Sequence, residues 1–312
     1  MEVAEELTGL LDRTRVGQPF PLAGLTLVPL LAEDDGQDAV LLEEGLEAGT
    51  ARVAELESGA RVGQVEVTYS GPGLLLLVDG EELVGAKQDR VVNTSFVVPN
   101  GPPAIIPVSC VEQGRWRYKS AVFKSSGRIL SSKARYRKMA RVYRSVAVGG
   151  SYDADQSAVW TDVDEYINRS GVHSSTMAFS DAAEARSPDL EQRLEKLEPL
   201  PDQRGLAAVH GGRVVALDLF SSPALYRRAW RKVARGLLLE DYPQPPAAPT
   251  DPTDPRQLVQ QSLASALTAP VTRQAAPGAG QTLHGEHRGM LLSAVVHQGN
   301  VYHAFAAANE AG

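Results

Sequence analysis

Residues 81–118, EELVGAKQDRVVNTSFVVPNGPPAIIPVSCVEQGRWRY, restrict the possible folds more than any other part of the chain. Val91, Phe96, Val97, Val98, Ile105, Ile106, Val108 and Val111 are β-branched or aromatic and come in short runs, and Asn100, Gly101, Pro102 and Pro103 between them favour a turn. Such runs predict antiparallel strands. Lys87, Gln88, Asp89, Arg90, Asn93, Glu112, Arg115 and Trp116 lie among them, more polar groups than two solvent-facing strand edges require. The stretch is therefore read as the centre of both the fold and the site.

Three segments have the outline of a hairpin: Gly73 to Arg90 turning at Asp79 and Gly80, Ala207 to Phe220 turning at Gly211 and Gly212, and Leu291 to Phe305 turning at Gln298 and Gly299. With no regular βα alternation, they predict an α+β fold, an antiparallel sheet core built from hairpins with packed amphipathic helices. Short strands are expected over 39–56. Asp155 is placed to cap a helix that stops at Gly171, and Ser187–Pro188, Ser222–Pro223 and Asp254–Pro255 each read as a helix start. Residues 172–187 and 268–281 read as mobile. The expected organisation is a main domain over 1–242, a proline-rich connector over 243–256, and a helix and hairpin over 257–312 that return to the main domain.

Charge is unevenly spread along the chain. Residues 1–60 hold thirteen acids against three bases, whereas 113–152 hold eleven bases and no acid. That split either pairs the two regions or offers a cationic face to an anionic partner. Over about 130–147 the spacing predicts an amphipathic helix with Tyr136, Met139, Tyr143 and Val146 inward and Lys133, Arg135, Arg137, Lys138, Arg141 and Arg144 outward. A basic face of this kind suits nucleic acid. No apolar run nears the roughly 20 residues of a bilayer span, and Glu2, Glu5 and Glu6 stand where a secretory signal would be basic, so no membrane partner and a cytoplasmic location are expected. Cys110 is the only cysteine, which excludes an internal disulfide and a cysteine-built zinc site within one chain.

Phosphate-loop, nucleophile-elbow, HExxH and CxxC patterns are absent, and no pattern names a cofactor. Lys87, Gln88, Arg90, Asn93, Arg115 and Trp116 are candidate ligand contacts: guanidinium forks suit phosphate or carboxylate, and an indole suits stacking. Glu112 and Asp89 are candidates for ribose binding or for general base work. The same residues equally form an internal ion network, and both readings stand at this point. His284, His287, His297 and His303 lie within twenty residues but straddle a glycine-rich loop and a turn, and no metal site is expected of them.

GAKQDR at 85–90, PVSCVEQGRW at 107–116, DQSAVW at 155–160 and GRVVALDLF at 212–220 resemble, in order, the ARG and rhodanese-phosphatase-superfamily-associated protein domain family. The likeness extends from about Gly71 to His303. Gene neighbourhood with ADP-ribosylglycohydrolases places that family near ADP-ribose and NAD-derived metabolites. The resemblance thus implies binding of an anionic nucleotide-like ligand, such as ADP-ribose or an NAD derivative, with its processing left open. A nucleic-acid-binding or protein-interaction protein using the basic helix is the alternative, and exposed hairpin edges allow a homodimer.

Overall fold

The computed structural model describes residues 4–32, 36–56, 62–195, 197–243, 253–267 and 269–308. Its strands form three sheets. The largest has nine strands, in the order Arg15–Val16, Leu25–Leu31, Gln203–His210, Arg213–Phe220, Asn300–Ala308, Met290–His297, Gln281–His287 and Val271–Ala275, with Phe20–Leu22 also on Leu25–Leu31. A six-stranded sheet runs Phe123–Ile129, Glu81–Gly85, Arg90–Val92, Ala104–Cys110, Gln64–Tyr69, Ala51–Ala54. Phe96–Pro99, Leu74–Leu77 and Val40–Leu41 make the third. The fold is antiparallel α+β, as expected; among the described residues Val40–Leu41 with Leu74–Leu77 is the one parallel pair.

Two of the three predicted hairpins form. Gly211 and Gly212 both take positive φ in a two-residue turn closed by His210 opposite Arg213, and Gln298 and Gly299 do the same between His297 and Asn300. The third does not. Leu74–Leu77 pairs with Phe96–Pro99, and Glu81–Gly85 pairs with Arg90–Val92 and Phe123–Ile129, so Asp79 and Gly80 mark a crossing between sheets. Asp79 faces inward, where cations hold it, instead of completing a solvent turn.

Helices cover the sheets, and their limits correct several expectations. Leu42–Glu47 is helical where short strands are expected, its first turn closed by Glu44 accepting from the Leu41 N–H. Phe179–Leu194 starts inside the stretch read as mobile, because Phe179, Ala182, Ala183, Leu190 and Leu194 supply a buried stripe; Pro188 lies within it, not at its start. Asp155 and Ser222 do cap Gln156–Ser170 and Pro223–Leu238 through the N–H groups of Ala158 and Leu225. Residues 271–275, read as mobile, form a sheet strand. Of the proline-rich connector, residues 244–252 lie outside the described residues.

Candidate functional site

The two polar segments singled out in the sequence meet through backbone pairing. Cys110 lies opposite Arg90 and Ser109 opposite Val91, and the Val111 N–H donates to the Asp89 carbonyl. Just before Asp89 the chain kinks at Gly85 (φ 128°), where a side chain would meet Ser120 Oγ at 2.5 Å and the Val122 carbonyl at 2.9 Å. The kink brings the Gly85 N–H back to Asp89 Oδ1 at 2.9 Å.

Arg115 organises the polar cluster. Its Nε donates to Glu112, Nη1 to the carbonyls of Ala86 and Arg117, and Nη2 to the Gly85 carbonyl and Asp89 Oδ1. All five donors of the guanidinium are engaged inside the protein. Arg115 is therefore not the anion clamp expected of it but the frame on which two carboxylates are mounted. Glu112 also accepts from the Asp89 N–H at 3.1 Å, leaving Asp89 Oδ2 with a single 3.3 Å contact, from Ser180 Oγ.

Burial raises the pKa of Asp89 and the Glu112 charge adds to the rise, against the Gly85 hydrogen bond. Burial pushes Glu112 the same way, but its hydrogen bonds from Arg115 and the Asp89 N–H prevail, and its pKa falls. Two adjacent carboxylates thus hold protons with unequal strength.

This cluster floors a cleft of about 470 Å³. Arg117, Tyr118 and Lys119 form one side, and Ser175, Thr176, Ser180 and Asp181 the other. The second wall was missed in the sequence because 172–187 reads as featureless. Ser174 fixes it, accepting from the Ala178 N–H at 2.9 Å and donating to Asp181 at 2.6 Å, and a Glu112–Ala178 bridge ties it to the floor. A serine a few residues before an apolar helical stripe was the available signal.

The remaining candidates lie elsewhere. Arg90 is fully buried on Glu55 and Gln88 and cannot reach a ligand in the cleft. Gln88 is buried, with its amide on the Gln113 carbonyl; Asn93 is buried between the Tyr152 carbonyl and Ser109. Lys87 is half-buried, its Nζ over the Trp116 and Tyr118 rings, both largely exposed.

The basic helix, Ser132–Gly149, does not present the expected outer face. Arg135 and Lys138 point into the protein, Arg135 onto Asp79 and Asp218 and Lys138 onto Asp79 at 2.7 Å and the Asn93 carbonyl at 2.5 Å. Arg137 and Arg141 pair with Asp162, and Arg137 also with Glu165. Arg144 is exposed and bonds the Ala140 carbonyl. Among the described residues, Asp38, Glu43 and Glu44 of the acidic N-terminal region are met by Arg228 and Lys232.

His303 Nε2 lies 3.0 Å from Asp218 Oδ1 and its Nδ1 2.7 Å from Ser95 Oγ, a serine–histidine–aspartate chain. All three side chains are closed off from solvent, and Ser95 also accepts from the Asp79 N–H, so this chain is part of the core. Among the described residues no three His, Cys, Asp or Glu side chains are grouped as a metal ion would need, and no helix is long and apolar enough to cross a membrane.

Fold and cleft together define an antiparallel α+β protein with a carboxylate-floored cavity. The chain belongs to the ARPP-1 family, the ARG and Rhodanese-Phosphatase-superfamily-associated Protein domain, whose model matches residues 13–307. No curated protein and no solved structure matches it.

Proposed function

We propose that the cleft binds an anionic, nucleotide-like ligand of the ADP-ribose kind, with ribose hydroxyls on Asp89 and phosphate at Arg117 and Lys119. The observation that carries this reading is Asp89 in the cleft floor, whose Oδ2 is engaged only by the 3.3 Å contact from Ser180 Oγ. A carboxylate held by a guanidinium, with one oxygen taking a single long contact and hydroxyl-bearing side chains opposite, suits the donors of a sugar. Arg117 and Lys119 are exposed at the rim and form no ion pair within 4.0 Å among the described residues, which leaves them for an anion. Adjacent carboxylates of unequal proton affinity also suit acid–base chemistry, so turnover is measured alongside binding.

The test is calorimetry and thermal unfolding with ADP-ribose, NAD, mononucleotides, and short DNA and RNA. A ligand at a hundredfold excess over its Kd adds about 2.7 kcal/mol to the native state. Asp89→Asn removes a charge-assisted hydrogen bond of about 1.5–3 kcal/mol, so the mutant binds ten- to a hundredfold more weakly, measured well below its own melting temperature because the pair with Arg115 is lost too. Unchanged affinity in Asp89→Asn, or binding of nucleic acid alone, would defeat the reading.

A further inference from the structure

We infer that Trp116 and Tyr118 are a stacking platform for the planar base of the ligand, and that Lys87 is its placeholder, resting on both rings until the base displaces it. The inference rests on the cleft being a nucleotide site and adds which end of the ligand lies where. Tyr118 itself lines the cleft, beside the Asp89 floor. Trp116 is 52% and Tyr118 61% exposed, among the few large apolar side chains left uncovered in the described residues.

Their backbone is nevertheless pinned. The Arg117 carbonyl accepts from Arg115 Nη1 at 3.0 Å, and the Lys119 N–H donates to the Ala86 carbonyl at 2.8 Å, so both neighbours of Tyr118 are fixed to the buried frame. Exposed rings on a fixed backbone lose little freedom when a flat partner lies on them, which is the economy that stacking sites use.

Lys87 Nζ stands 5.4 Å from the Trp116 centroid and 5.1 Å from that of Tyr118. At an exposed site such a contact is weaker than the stacking of a base on an aromatic ring. A base therefore displaces the ammonium, which moves to the adjacent phosphate. Ribose over Asp89, base on the rings and phosphate among Lys87, Arg117 and Lys119 is the resulting arrangement.

AMP and ribose 5-phosphate differ by the base, and calorimetry with both tests the platform. In the wild-type protein AMP binds at least tenfold more tightly and alters tryptophan emission. In Trp116→Ala and Tyr118→Ala that advantage shrinks towards unity while ribose 5-phosphate keeps its affinity within twofold. Equal affinity of the two in the wild type, or an AMP advantage that survives both substitutions, overturns the platform and leaves the cleft reading standing. If neither binds, both fall. For Lys87→Met, adenosine binds no more weakly than to the wild type whereas AMP loses affinity; equal loss of the two removes Lys87 from the role.

Discussion

The protein contains two ionic clusters made of the same parts and differently balanced. Around Arg135, every carboxylate oxygen has a cation: Asp79 meets Arg135 and Lys138, and Asp218 takes the guanidinium with both oxygens and His303 on one. Two fixed cations face two carboxylates, all of them buried. Around Arg115, one guanidinium serves Asp89 and Glu112, and Asp89, itself buried, lines a cleft with its Oδ2 held only by Ser180. Charge balance and the adjoining cleft, not the identity of the residues, separate the two clusters.

That contrast can be broken most severely at Arg135. Arg135→Met strands Asp79 and Asp218 without their fork and is expected to cost about 3–5 kcal/mol in urea unfolding. A loss below about 1 kcal/mol would show that the buried centre is not a balanced unit.

His284 sharpens the contrast through pH. It lies near the buried centre, with Nδ1 unpartnered among the described residues, and burial pulls its pKa down from 6.5 to about 4. Between those values the unfolded chain takes a proton that the native state refuses. Stability present above pH 6.5 is thus lost progressively as the pH falls to about 4, by about 3 kcal/mol. His284→Phe flattens that stretch of the pH profile. Asp89, with its raised pKa, works in the opposite sense, binding a proton in the native state before the unfolded chain does.

The smallest of the three effects is expected at Arg115. Arg115→Met leaves two carboxylates beside an open cleft, where solvent relieves them, and costs about 1–3 kcal/mol. The deficit narrows as the pH is lowered and Asp89 protonates. A cost equal to that at Arg135 and independent of pH would erase the distinction.

How legible all this was in the sequence depended on distance along the chain. The strands around Val91, Phe96 and Ile106 and the two-residue turns at Gly211–Gly212 and Gln298–Gly299 are encoded locally and were readable. The two polar segments, read as parts of one site, do meet, where Arg90 pairs with Cys110. Arg135 and Lys138 were misplaced for a physical reason. Arg135, Met139, Val142 and Val146 form a buried helical stripe, but a charged residue is assigned to its inner face only when its partners are known, and these lie 56 and 83 residues away. Asp79 was misread as a turn on the same account. Asp218, an acid inside the apolar run VVALDLF, was the one local hint that a buried cation existed.

Strand Asn300–Ala308 lies between Arg213–Phe220 and Met290–His297 and carries His303 into contact with Asp218 and Ser95. On the ribosome, a nascent chain extended only to residue 299 would already hold Arg135, Asp79 and Asp218 but would lack the strand and the imidazole that close over them. The ionic centre is therefore complete only once that segment has cleared the exit tunnel, and until then the growing polypeptide exposes the apolar edge that the strand will occupy.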